Sequence, residues 1–212
     1  MKKVLAILML AVLMLAGGLA PSAQAQDDVM RQAMEGYRNL NSLTAKVTRT
    51  VHNDMVANDK VTRGTFYFKK PARMCVSTNG GKDMLLTDGE SFTIVQDGRP
   101  TTATGRGNSS LTPLVNAIKG IASGNSDVDL SDVADVDMER QGDKLIMTIA
   151  PIVRNATERR KMLFQSYVIT IDQKAGQLRS IRLNGKGSNY EQYDFSDFQF
   201  DAPVSDSVFE VR

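Results

Sequence analysis

The chain has no tryptophan, one cysteine and one histidine in 212 residues. A single cysteine excludes an internal disulfide, and Cys75 sits inside an apolar run, where it reads as a small buried residue. The single histidine, His52, stands at a strand end among polar residues and reads as a surface or turn side chain. There is no HExxH, CxxC, GxSxG or phosphate loop, and the GRGN stretch at Gly105 lacks the lysine and helix that a phosphate cradle needs. The run from Asp127 to Asp137 has Asp132 where a calcium loop needs its turn glycine and Met138 where it needs its glutamate. No catalytic residue, metal ligand or cofactor is assigned. An enzyme is not expected; a cluster of inward-facing ionisable groups would reopen that reading. The sequons at Asn108 and Asn155 match glycosylation acceptors only as short patterns.

Excess charge is also missing. The full chain carries 26 basic and 24 acidic residues. The first 25 residues have two lysines, an apolar core from Val4 to Leu15, a Gly-Gly/Pro break and Ala23-Gln24-Ala25, the layout of a cleaved secretory signal peptide. That apolar core is shorter than the roughly 20 residues a bilayer span needs. Lys2 and Lys3 leave with the leader and no acid does, so the exported chain is neutral. A neutral surface gives no support for nucleic-acid binding. The remaining stretch, residues 26–212, is expected to form a single domain large enough to bury roughly 70% of the unfolded chain's surface without staples. The compartment reads as a bacterial periplasm.

What is present is short strands and tight turns. Asp27 to Leu40 has helical spacing, with two acids in its first turn. From Leu43 the period drops to two, with Ala45, Val47 and Val51 alternating with Lys46, Thr48 and Thr50. Strands follow at Gly64 to Lys70, Arg73 to Thr78, Asp83 to Thr87, Ser91 to Gln96 and Arg99 to Thr104, separated by Pro71 and by NGG, DG and DG turns. SLTPLVNAIKGIASG then reads as a helix with Leu114, Val115, Ile118, Ile121 and Ala122 on one stripe. Strands resume at Asp135 to Arg140, Leu145 to Ala150, Met162 to Asp172, Leu178 to Asn184 and Tyr190 to Phe198. A sheet of about ten antiparallel strands must curl or close. The fold class is mainly β.

The run GTFYFKKPAR, then TDGESF, then LTPLVNAI, then DFSDFQF and DSVFEV, in that order over nearly the whole exported chain, resembles the LolA family of periplasmic lipoprotein carriers. The resemblance implies an unclosed antiparallel barrel wrapped around lid helices over an apolar cavity. It implies acyl chains of lipoproteins, or another lipid, as cargo, together with an inner-membrane releasing transporter and an outer-membrane acceptor lipoprotein as partners. The protein would act as a monomer. Lys70 holds the position of the family's lid-fastening arginine, and Phe66 and Phe68 share its face by the two-residue period. Met74 falls where the family has an apolar residue used in cargo hand-over. Asp88-Gly89 and Phe92 match the family's turn and following aromatic. The expected cavity and lid residues are Phe66, Phe68, Lys70, Met74, Val76, Phe92, Ile94, Leu114 and Ile118; at strand spacing the same side chains also describe any β core. A sensor or envelope module that binds lipid without transporting it is the alternative.

Overall fold

The computed structural model describes residues 39–88, 91–104, 113–114, 116–117, 130 and 132–211. The signal peptide, almost all of the first helix, most of the second helix including Ile118, and positions 127–129 and 131 of the acidic run lie outside the described residues.

Among the described residues eleven strands form one sheet: β1 (Ser42–His52), β2 (Lys60–Lys69), β3 (Arg73–Thr78), β4 (Asp83–Thr87), β5 (Ser91–Gln96), β6 (Arg99–Thr104), β7 (Ala134–Gln141), β8 (Lys144–Pro151), β9 (Ser166–Asp172), β10 (Gln177–Asn184) and β11 (Tyr190–Phe200). Their order is β6-β5-β4-β3-β2-β1-β11-β10-β9-β8-β7, antiparallel throughout, so β6 and β7 are the two edges. The expected unclosed antiparallel sheet is observed. Two meanders meet where β1 pairs with β11, through nine aligned residue pairs from Leu43↔Phe200 to His52↔Tyr190.

The sheet is tightly curved. Six strand spacings separate β5 from β10, about 29 Å on a flat sheet. Yet Ile94 of β5 and Leu183 of β10 line the same cavity. Two register shifts assist the bend, one where β11 carries an extra residue opposite Thr44–Lys46 of β1 and one in β10 between Leu178 and Ser180; an extra residue on one strand adds local twist. Gly64 in β2 permits another close approach. A Cβ there would lie 1.8 Å from the carbonyl oxygen of Ser77.

Alternation then sorts the side chains. Leu43, Ala45 and Val47 of β1, Phe66 and Phe68 of β2, Met74 and Val76 of β3, Phe92 of β5, Met147 and Ile149 of β8, Ile169 of β9, Leu183 of β10 and Phe195 of β11 join one concave-face core. Leu114 and Ala117, from the helical part of the segment between β6 and β7, are buried in that core, as is Leu130. The convex face carries a smaller cluster of Cys75, Leu86 and Val95, against which Tyr67, Met84 and Phe209 pack. Both faces of the Phe66–Phe68 run are therefore covered.

A C-terminal strap covers the convex side. Ser42 Oγ donates to the Ala202 carbonyl at 2.6 Å, and Lys69 Nζ donates to Asp206 at 2.6 Å. Arg73 pairs with Asp206 at 2.9 Å and lies over the Phe209 ring at 5.3 Å from its centroid. These cations hold the Asp206 carboxyl below its ordinary value, the Lys69 hydrogen bond foremost.

The structure corrects the expected strand from Met162 to Asp172. Its first residues follow a short helix, α1 (Ala156–Lys161), and β9 begins only at Ser166. Asn155 caps α1 by accepting from the Glu158 N–H at 2.9 Å, while Glu158 accepts from the Arg154 N–H at 2.9 Å. The Asn155 sequon is thus a helix-start signature, a cap residue followed three positions later by glutamate.

Candidate functional site

The strands reach their two rims in alternation. One rim, the His52 end, gathers the end of β1, the start of β2, the end of β3, the start of β4, the end of β5 and the start of β11. The opposite rim gathers Lys69, Arg73 and the strap. At the His52 end the concave face holds a cavity of about 380 Å³. This falls near the lower end of the range for small-molecule pockets.

Its walls differ in character. Val76, Leu85, Phe92 and Ile94 from β3 to β5 and Leu183 of β10 are apolar, and Leu163 and Phe164, just after α1, complete this part of the lining. Phe164 is braced edge-on against Tyr167, with centroids 6.3 Å apart. The polar part of the lining is Arg49, Asp83, Glu191 and Tyr193, with Thr78 and Gln96 beside them.

Arg49 continues the inward series of Leu43, Ala45 and Val47, so β1 carries its guanidinium onto the apolar face. It is 7% exposed. Nε and Nη2 donate to Glu191 Oε2 at 3.1 and 2.8 Å, and Nη1 donates to Asp83 Oδ2 at 3.4 Å. Tyr193, paired with Arg49 across β1 and β11, donates its hydroxyl to the same Glu191 oxygen at 3.0 Å. Asp83 also accepts from the Asn79 amide at 3.3 Å and the Asp97 backbone N–H at 3.0 Å. Lys60 stands 4.0 Å from it. Burial alone would lower the Arg49 pKa; Tyr193 and Glu191 outweigh it and hold it above its ordinary value. Burial, then the neighbouring Glu191 charge, pushes the Tyr193 hydroxyl well above a free phenol. The cluster is therefore a closed hydrogen-bonded group. Its two cations match its two carboxylates.

No protein-family model and no curated protein matches the chain. Solved structures do. The chain is similar to a LolA superfamily protein from Nitrosomonas europaea, at 12% identity over 86% of this chain and 96% of that one, with a TM-score of 0.40. It is similar to a DUF1329 family protein from Desulfovibrio piger, at 11% identity over 88% and 96% of the two chains, with a TM-score of 0.46. It is also similar to the Mycobacterium tuberculosis lipoprotein LppX, at 16% identity over 87% and 99%, with a TM-score of 0.36.

The residues expected at the site divide in three. Val76, Phe92 and Ile94 line the cavity. Phe66, Phe68, Met74 and Leu114 belong to the same concave-face core, with Phe68 only 2% exposed, and do not line it. Strand β2 ends at Lys69, and Lys70 follows it in a turn, half-buried, its N–H donating to the Asn41 carbonyl at 2.9 Å. It lies at the rim opposite the polar cluster.

Sequence reasoning missed Arg49, Asp83, Glu191 and Tyr193. The signal was the two-residue period itself, which places Arg49 inward after Val47 and Glu191 inward ahead of Tyr193 and Phe195. The other two reactive side chains stand elsewhere. His52 contacts Asp59 at 2.7 Å and stacks on Tyr190. Cys75 is on the convex side, its thiol pushed up by burial to about 12.

Proposed function

We propose that the protein is a periplasmic carrier that sequesters lipoprotein acyl chains in its concave-face cavity and delivers them from inner to outer membrane. The observation that carries this reading is the cavity between Phe92, Ile94, Leu183 and Phe164, an apolar space bounded by the side chains of a curved, open-edged sheet. Each methylene taken out of water contributes about 0.8 kcal/mol, so an acyl chain of sixteen carbons is not left exposed between membranes. An apolar space inside an unclosed sheet suits such cargo, because the wall is able to yield as the chain enters.

On this reading Val76, Phe92 and Ile94 contact the chain and Leu163 and Phe164 shield it. Leu114 and Ala117 close the concave face deeper in. An inner-membrane transporter supplies the cargo and an outer-membrane lipoprotein accepts it. The test is release: the exported form is incubated with spheroplasts bearing radiolabelled lipoprotein. Label appearing in the soluble fraction as a complex with the protein supports carriage. Label that stays in the membrane, with the protein bound there, supports a lipid-binding sensor module instead.

A further inference from the structure

The polar part of the cavity has no task in covering a hydrocarbon chain, and it is built rather than incidental. Arg49 and Asp83 are 7% and 5% exposed. Four elements contribute: Arg49 from β1, Asp83 from the start of β4, Gln96 from the end of β5, and Glu191 and Tyr193 from β11. The apolar and polar linings are parts of one continuous space. An occupant therefore has a hydrocarbon part and a polar part joined at that boundary.

The charge pattern selects the polar part. Glu191 takes two N–H donors of Arg49 and the Tyr193 hydroxyl on one oxygen, and Asp83 takes the third Arg49 contact. The guanidinium is thus already committed to carboxylates. A ligand carboxylate or phosphate would find no unmatched cation there, because Arg49 is taken by Glu191 and Asp83 and Lys60 stands against Asp83, so its lost hydration is not offset and it lies beside two acceptor-only carboxylates. A hydroxyl or ester group meets no such penalty. It can donate to Glu191, which keeps 17% of its side chain exposed, and it can exchange hydrogen bonds with Gln96 and Thr78.

We propose that the cavity selects acyl chains attached to a neutral, hydroxyl- or ester-bearing head, of the acylglycerol type, and discriminates against the same chains attached to a carboxylate or phosphate. The Arg49–Glu191–Asp83 cluster is the selectivity element. This inference rests on the acyl-chain reading of the site and adds to it the chemistry of the group next to the chain.

The experiment holds the tail constant. Binding of monomyristoylglycerol, myristate and myristoylglycerol phosphate is measured by calorimetry at pH 8, each below its aggregation threshold, with the wild-type protein and with Glu191→Gln. The wild type is expected to bind the neutral compound at least tenfold more tightly than either anion. Glu191→Gln, which leaves Arg49 and Lys60 in excess over Asp83, is expected to narrow that gap at least fivefold by strengthening the anions. Circular dichroism confirms that the variant is folded, and the wild-type comparison stands without it. Equal or tighter binding of the anions by the wild type overturns the proposal, as does an unchanged gap in a folded variant. A diacylglyceryl lipopeptide separates the two levels. If it binds and no monomyristoyl compound does, the head-group inference fails and acyl binding stands. If it too fails to bind, both fail.

Discussion

The Arg49 guanidinium reaches Glu191 through two hydrogen bonds onto one carboxylate oxygen, 3.1 Å from Nε and 2.8 Å from Nη2. The pair ties the chain's two meanders together, since β1 and β11 are the strands at which they meet. Removing one partner strands the other in a poorly solvated site. Arg49→Met is expected to lower unfolding free energy by about 3–5 kcal/mol. The Arg49→Met/Glu191→Met double variant should recover much of that loss, because paired apolar replacements leave fewer buried charges alone. Urea denaturation of the set checks this. Equal destabilisation in the double variant would show that the pair acts through something other than mutual charge compensation.

Phe68 and Ile94 separate core from cavity. Phe68 is 2% exposed within the concave core, and truncation there leaves a void: Phe68→Ala should cost about 3–5 kcal/mol in stability. Ile94 lines the cavity and is only partly buried. Ile94→Asn should weaken acyl-chain binding at least tenfold while the thermal midpoint falls by only a few degrees. Thermal melts and lipid-binding isotherms on the two variants decide it. A larger stability loss for Ile94→Asn than for Phe68→Ala would reassign the two positions.

How much of this was legible beforehand follows from these same residues. The period-two pattern located the strands, and the ends of β3, β4, β5 and β6 fall where the NGG, DG and DG turns place them. The same pattern identified Val76, Phe92 and Ile94, and it could not distinguish them from Phe66 and Phe68, because lining a cavity and filling a core require the same alternation. Arg49 carries no inward signal of its own, because an unpaired charged side chain belongs in water. Pairing with Glu191 and Asp83, which lie 142 and 34 positions away, removes that cost, and such pairing is fixed by topology rather than by local sequence. Helix α1 was hidden for a different reason: its cap, Asn155, also fits a sequon, and six residues are too few to display a helical period.

Gly64 sits where β2 crosses closest to β3. A Cβ at this position meets the Ser77 carbonyl oxygen at 1.8 Å, and that neighbour is backbone, which cannot swing aside. Gly64→Ala is therefore expected to destabilise by about 1–3 kcal/mol, despite alanine's lower unfolded-state entropy. A thermal or urea midpoint equal to wild type would show that the two strands separate at no cost.

Cys75 makes stability pH-dependent in the alkaline range. Burial raises its folded-state thiol to about 12, from an ordinary value of 9.0. Below pH 9 both folded and unfolded thiols are protonated and the group contributes nothing. Above it the unfolded thiol ionises and the folded one does not, so stability declines as pH rises from about 9 toward 12. Cys75→Ala should show a shallower decline between pH 8 and 10.5 than wild type, and the native thiol should resist alkylation at pH 8 until the protein unfolds. Parallel pH profiles for the two proteins would contradict the buried thiol.

The most direct measurement of the central claim is native mass spectrometry of the mature protein purified from a bacterial periplasm, followed by solvent extraction of what it carries. The account predicts an added mass on the folded protein and recovery of acyl-chain material, with both reduced in Ile94→Asn. A clean apo mass, unchanged after incubation with lipoprotein-bearing membranes, would contradict it.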